Sequence, residues 1–218
     1  MSLLETYKQL NFKSTKWDTY FDHYDKHLSR FVGKAPNVLE IGVAEGGSLE
    51  LWHRYFENGK IFGIDANPEC VVHEYNNENI NVELGDQNSE EFWTDYLKDK
   101  EKFDIIIDDG SHISEHQLTS MSCLFPHLKE GGLYIVEDTH TSYWPSWEGG
   151  FQKPGTYVET MKMMVDFLHR QHIPESQPSP QLSKLFDGLK SIQFYNSMIV
   201  LEKDFVGNMY PISSYTNS

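Results

Sequence analysis

The 218-residue chain is short of cysteine, of basic side chains and of long apolar runs, and each shortage removes a class of protein. Only Cys70 and Cys123 are present, with no Cys-x-x-Cys pair, which argues against a disulfide framework and fits a reducing compartment. Eighteen Lys and Arg stand against 33 Asp and Glu, a formal net charge of −15, so a phosphate backbone would be repelled and no nucleic-acid partner is expected. No stretch approaches the roughly 20 apolar residues of a membrane span, so no membrane partner is expected either. The opening Met1-Ser2-Leu3-Leu4-Glu5 lacks a basic segment followed by an apolar core, the mark of a secretory leader. What these absences leave is a cytoplasmic, acidic, globular chain, long enough to bury a sizeable core and too short for two full domains.

The patterning that is present alternates between two periods. Residues 1–35 read as a polar helical cap, with Tyr20, Tyr24, Leu28 and Phe31 recurring every three or four positions. From residue 36 the chain repeats short buried-strand patterns at residues 37–42, 61–65, 80–84, 103–108 and 132–137. Helical patterns fall near residues 48–56, 89–98, 114–125 and 158–169. Five apolar strands with mostly helical crossovers predict an α/β fold, a parallel sheet covered on both faces. Two β-rich runs around Asn196-Ser197 predict a terminal antiparallel hairpin. Residues 139–157, rich in Trp, Pro and Gly, read as a lid loop, and residues 173–180 as a Pro/Ser linker.

In such sheets ligands bind beyond the carboxyl ends of the strands. The first strand ends in Glu40-Ile41-Gly42-Val43-Ala44-Glu45-Gly46-Gly47, a glycine loop that opens a helix and can approach a ligand closely. A dinucleotide fingerprint would need glycine where Ala44 stands, which disfavours a dehydrogenase. Asp65 closes the second strand 23 residues after Gly42, near the spacing at which a carboxylate holds a ribose diol. Asp86 and Gln87, after the third strand, could read an adenine edge.

Two acidic strand ends carry the chemistry: Asp108-Asp109-Gly110-Ser111-His112 and Val136-Glu137-Asp138. Neighbouring strands lie about 4.8 Å apart, so these acids can converge, and gathered carboxylates repel one another unless a cation sits among them. All-oxygen ligation suits Mg²⁺, with Mn²⁺ or Ca²⁺ as competitors. His112, three residues after Asp109, could take a hydroxyl proton as a neutral imidazole. His116 and His140 receive no role. Tyr143, Trp144 and Trp147 offer aromatic faces to an acceptor.

The motif Glu40-x-Gly42-x-x-x-Gly46, with Asp65 and Asp86-Gln87, resembles that of class I S-adenosylmethionine-dependent methyltransferases. The resemblance implies a Rossmann-like seven-stranded sheet ending in a reversed hairpin. It places Gly42 and Gly46 under the methionine and ribose, Asp65 on the ribose hydroxyls and Asp86 and Gln87 beside the adenine, with Glu40 and Asp108 also on the cofactor side. Residues 16–147 resemble more narrowly the metal-dependent macrolide-sugar O-methyltransferases of the mycinamicin type and the related cephalosporin hydroxylase-like sequences. Val38-Leu39-Glu40-Ile41-Gly42-Val43, Gly85-Asp86-Gln87, Asp108-Asp109-Gly110-Ser111-His112, Leu124-Phe125-Pro126-His127 and Glu137-Asp138 carry that likeness. By it Asp109, Glu137 and Asp138 would be metal ligands, with Asp109 and His112 catalytic and His112 the general base. The expected activity is methyl transfer from S-adenosyl-L-methionine to a hydroxyl of a sugar-like small molecule, with Mg²⁺ or Mn²⁺, giving S-adenosyl-L-homocysteine. A homo-oligomer is compatible with this reading. A catechol-type O-methyltransferase, a metal-dependent oxygenase or hydrolase, and a non-catalytic binding module are the alternatives. The macrolide enzymes carry a large additional N-terminal domain with no counterpart in this reading, and their Thr-Asp-Lys-like motif stands here as Ser14-Thr15-Lys16.

Overall fold

A computed structural model describes residues 2–70, 77–172, 186–207 and 212. The Pro/Ser segment at 173–180 lies outside the described residues. The elements run α1 (Leu3–Tyr7), α2 (Tyr20–Leu28), β1 (Asn37–Ile41), α3 (Gly47–Tyr55), β2 (Lys60–Asp65), β3 (Ile80–Leu84), α4 (Glu90–Tyr96), β4 (Phe103–Asp108), α5 (Ser114–Leu124), β5 (Leu128–Val136), α6 (Tyr157–Leu168), β6 (Leu189–Tyr195) and β7 (Met198–Lys203). They build a seven-stranded sheet in the order β3-β2-β1-β4-β5-β7-β6. The first five strands in that order are parallel, and β7 runs antiparallel to both β5 and β6. This is the Rossmann-like seven-stranded sheet with a reversed terminal hairpin that the resemblance implied.

Successive strand residues face opposite sides of a sheet, and the core divides on that rule. Val38, Ile105, Ile107, Leu133 and Ile135 pack with Tyr20, Tyr24, Leu49 and Trp52 from the α1–α3 layer. Leu39, Ile41, Ile106, Tyr134 and Val136 pack with Trp93, Met121, Leu124, Tyr157 and Met161 from the α4–α6 layer. The same parity decides where the acids go. Glu40 shares the face of Val38, and Glu137, one step past β5, continues the face of Ile135; both therefore point toward α2 and α3. Asp108 falls on the other face, against α5.

The N-terminal segment is laid across the top of this layer. Glu50 of α3 accepts from the backbone N–H groups of Asn11 and Phe12 (2.8 and 2.9 Å) and from the Asn11 amide (2.9 Å). Gly47 donates to the Lys13 carbonyl at 3.1 Å. A Cβ at Gly47 would come within 2.5 Å of that carbonyl oxygen, so only glycine allows residues 11–16 to approach the start of α3 so closely. Residues 139–157 are closely bonded to the body: turns at Thr139–Tyr143 and Pro145–Trp147 bury Thr141 and Ser142, and Thr139 donates to the Ser197 carbonyl at 3.0 Å.

Helix α2 is joined to the hairpin by His27, whose Nε2 lies 2.8 Å from the Tyr195 hydroxyl. Burial, with help from Lys26 and Arg30, pushes the His27 imidazole down to about 4. Unfolded, the same group takes its proton near 6.5, so between pH 6.5 and 4 the unfolded chain binds more protons and stability falls as pH drops. In urea unfolding across that window, the stability difference between the wild type and His27→Gln should shrink as pH is lowered; a difference constant with pH would contradict the assignment.

Candidate functional site

Strands β1, β4 and β5 end side by side, and their hydrogen-bond ladder runs one residue further: Asp109 donates to the Ile41 carbonyl and Glu137 to the Asp108 carbonyl, both at 2.9 Å. Above these ends lies a cavity of about 590 Å³. One half is the glycine loop. Gly42 has φ +93°, and a Cβ there would lie 2.1 Å from the Asp109 carbonyl oxygen, so glycine is required both for its backbone angle and for the approach of the β4 end. Asp65 secures the loop: one carboxylate oxygen accepts from the Val43 and Ala44 N–H groups (2.8 and 3.1 Å) and the other from Asn67 (2.8 Å). Burial opposes ionisation of Asp65, but these donors outweigh it and hold the carboxyl below its usual range.

Gly42, Asp65, Asp86, Gln87, Asp109, His112 and Asp138 line this one cavity. Glu40, Gly46, Asp108 and Glu137 do not. Gly46 is the left-handed residue that starts α3, and its neighbour Gly47 faces the cavity instead. Asp108 is wholly buried and accepts from Ser120 Oγ (2.7 Å) and Gln87 Nε2 (3.1 Å). Gln87 Oε1 accepts in turn from the Ser111 N–H at 2.7 Å. The Gln87 amide, expected to flank an adenine, is therefore used at both ends to brace the β4 loop. Asp86 is the acid left facing the cavity beside it.

At the other half, His112 and Asp138 both adopt left-handed backbone angles, φ +59° and +52°. Non-glycine residues there are strained by about 1–3 kcal/mol each and persist only when their surroundings hold them. The holding group is the buried Thr141, whose Oγ1 lies 2.7 Å from the His112 carbonyl and 2.9 Å from that of Asp138. The His112 Nε2 stands 3.7 Å from Asp138 Oδ2, and its Nδ1 has no hydrogen-bond partner. Asp138 Oδ1 accepts from the Tyr20 hydroxyl (2.8 Å) and Trp17 Nε1 (3.0 Å).

Beneath Asp109 lies a residue that the sequence reading left without a role. The Lys16 side chain has no exposed surface, and its Nζ sits 2.6 Å from Glu137 Oε1, 3.0 Å from Asp109 Oδ2 and 3.8 Å from Glu40 Oε1. The buried Tyr24 hydroxyl donates to the same Glu137 oxygen. Burial alone would drive the ammonium to lose its proton; the carboxylates of Asp109, Glu137 and Glu40 override it and hold Lys16 well above its usual value. Burial pushes the Glu40 carboxyl up to about 7, and burial with Asp109 alongside raises Glu137.

Two groups of possible ligand atoms overlap at Asp109, each within a span of 4.8 Å. The inner group, Glu40, Asp109 and Glu137, encloses Lys16. The outer group, Asp109, His112 and Asp138, faces the cavity. Thus Asp109 and Asp138 come together as expected, while Glu137 is turned inward. On the far side of Asp138 a second cleft of about 330 Å³ is lined by Trp17, Tyr20, His140, Trp144, Asn196 and Ser197. Trp144 packs edge-on to His140, at 4.5 Å between ring centres, and Trp147 packs edge-on to Trp144 without lining the cleft. Tyr143 lines a neighbouring cavity with Lys162 and Phe194. Parity placed Glu40 and Glu137 on the α2 face, and the four-residue step from Tyr20 to Tyr24 placed both tyrosines there; together these are the signal that could have located the inner cluster. Trp17 gave no comparable signal.

Residues 39–139 match a family model described as a methyltransferase domain. The chain is 36% identical over 203 residues to demethylmacrocin O-methyltransferase of Streptomyces fradiae, covering 86% of this chain and 50% of that protein. It is 36% identical over 202 residues to 8-demethyl-8-alpha-L-rhamnosyl tetracenomycin-C 2'-O-methyltransferase of Streptomyces olivaceus, covering 87% and 52%. The solved structure of the MycE methyltransferase from the mycinamycin pathway, in complex with Mg, SAH and mycinamycin VI, superposes with a TM-score of 0.80 at 33% identity, over 94% of this chain and 54% of that one. The chain thus spans about half the length of the relatives it matches.

Replacing Thr141 tests the strained pair directly. Thr141→Val removes the hydroxyl donor of the half-buried His112 carbonyl, while that of Asp138 keeps the Thr141 N–H at 3.0 Å, and should lower stability by about 1–3 kcal/mol in urea unfolding, whereas Thr141→Ser, which keeps the hydroxyl, should lose less than half of that.

Proposed function

With a methyltransferase domain over residues 39–139 as the premise, we propose that this protein is a Mg²⁺-dependent S-adenosylmethionine O-methyltransferase acting on a hydroxyl of a sugar or sugar-bearing small molecule. The observation that carries the reading is the arrangement around Asp138. A cavity of about 590 Å³ lined by Asp65 and Asp86 lies on one side, an aromatic cleft on the other, and a histidine and two carboxylates stand where the two meet. The relatives named as sugar O-methyltransferases support the class of acceptor.

In this reading the glycine loop holds the methionine and ribose, Asp65 takes the ribose hydroxyls and Asp86 faces the base. Asp109, Glu137 and Asp138 would hold the divalent ion. The fit rests on chemistry present in the chain, because oxygen donors dominate the set and two of the three carboxylates already face the cavity within reach of His112. When bound, the sulfonium cofactor supplies an electrophilic methyl group and the ion supplies positive charge that makes a nearby hydroxyl more acidic.

The chain's own residues do the rest. His112, whose Nε2 stands 3.7 Å from Asp138, accepts the proton of the acceptor hydroxyl, and Asp138 stabilises the imidazolium that results. Thr141 keeps both groups at fixed backbone angles, so the hydroxyl, the base and the acid need little rearrangement on binding. Trp17, Trp144 and His140 offer faces on which a sugar ring can stack, and Asn196 and Ser197 offer polar atoms to its hydroxyls. With strand-end acids lining the cavity, a cationic sulfonium and a divalent ion are favoured over a free polyanion.

Purified protein incubated with labelled S-adenosylmethionine and a panel of glycosides, nucleotide sugars and catechols should methylate a sugar hydroxyl, with activity abolished by EDTA and restored by Mg²⁺. Full turnover in EDTA would refute the metal role, and transfer confined to catechols would refute the acceptor class. His112→Ala should lower turnover by about 10²–10⁴-fold, and Asp109→Asn should weaken Mg²⁺ dependence and activity together.

A further inference from the structure

The four acids at the strand ends do not form one site. Glu40, Asp109 and Glu137 close around an ammonium with no access to solvent, whereas Asp109, His112 and Asp138 surround a point open to the cavity. Asp109 belongs to both. Fully ionised, the four carboxylates would exceed one ammonium by three charges, and burial, by raising Glu40 and Glu137, lowers that excess toward the two that a divalent ion balances, so the cluster has room for the lysine and the metal together. Lys16 and Tyr24 engage Oε1 of Glu137, and Lys16 engages Oδ2 of Asp109. Of the two, Asp109 also lines the cavity, where its carboxylate can meet another cation. Glu40 has no exposed surface, and the nearby ammonium is the largest influence that offsets its burial, with smaller help from the Ser48 and Trp52 side chains.

We propose that Lys16 is a positioning residue, the permanent cation of an inner site with Glu40 and Glu137 that pre-sets the shared carboxylate, Asp109, for a divalent ion bound beside it in the outer site with Asp138. This rests on the metal-dependent reading above. A tethered ammonium keeps the ligands together when the ion is absent, which spares the repulsion that would otherwise spread them, and it weakens the outer site's hold on the ion because both charges are positive. Lys16 is not a placeholder expelled on metal binding: the Nζ lies under Asp109, away from the cavity, with the Trp52 ring 5.9 Å from it.

Two measurements test this, neither reading turnover. The first is Mn²⁺ titration of wild type and Lys16→Met, which keeps length and loses charge. The variant should bind Mn²⁺ at least about tenfold more tightly or take up a second ion; even water-like screening gives that factor for a unit charge about 6 Å from a divalent ion. Unchanged affinity and stoichiometry would overturn the proposal. The second uses the wild type alone, so it survives a variant that does not fold: acetic anhydride labelling of each lysine, read by mass spectrometry, with and without saturating Mn²⁺ and S-adenosylhomocysteine. Lys16 should remain protected in both states. A rise to the reactivity of the exposed Lys13 on metal binding would show that the ion displaces it. If the wild type binds no Mn²⁺, the metal reading itself fails, while a protected Lys16 and a Mn²⁺ site gained in Lys16→Met would still support the inner site.

Discussion

The buried contact between the Lys16 ammonium and the carboxylates of Asp109 and Glu137 is the interaction on which the site depends. It ties residues 13–24 to the ends of β4 and β5, and it closes the α2 face of the sheet over Glu40. Carboxylates taken out of water cost several kcal/mol each unless paired. Without the ammonium, the acids that parity sends to this face would either protonate or force the N-terminal segment away. With it in place, Tyr20, Tyr24 and Trp17 are fixed around Glu137 and Asp138, and the second cleft acquires its wall.

Strain and charge are both concentrated at one junction. The chain turns through left-handed angles at His112 and at Asp138, and a single threonine hydroxyl lies against the carbonyls of both. Two loops from different strand ends are thereby fixed relative to each other, which holds His112 and Asp138 at a set separation. His112 and Asp138 both line the larger cavity, and the aromatic cleft beyond Asp138 carries His140 and Asp18 among the described residues that line it.

Much of this was readable from particular residues. The alternation of residues 37–42, 61–65, 103–108 and 132–137 with helical spacings required a covered parallel sheet, and the run around Asn196-Ser197 required its antiparallel edge. Gly42, Asp65, Asp86, Asp109 and His112 were placed on one cavity because strand-end position in such a sheet is a property of order along the chain. Asp108 was read on the cofactor side, yet it is wholly buried; a buried carboxylate needs donors, and the nearest were Ser120 and the amide of Gln87, which itself lines the cavity. Glu137 was read as a cavity ligand, and its face of the strand turned it to Lys16 and Tyr24.

The sequence by itself determined the sheet, its strand ends and which acids stand there, because period-two burial and glycine turns are local properties that survive in any tertiary context consistent with them. Only the tertiary structure decided how those acids are shared between an internal ammonium and an open site. That division depends on Lys16, Trp17, Tyr20 and Tyr24, which lie about a hundred residues from their partners along the chain. Charge pairing at that separation follows from how the N-terminal segment is folded across α3, and no local pattern around either partner specifies it.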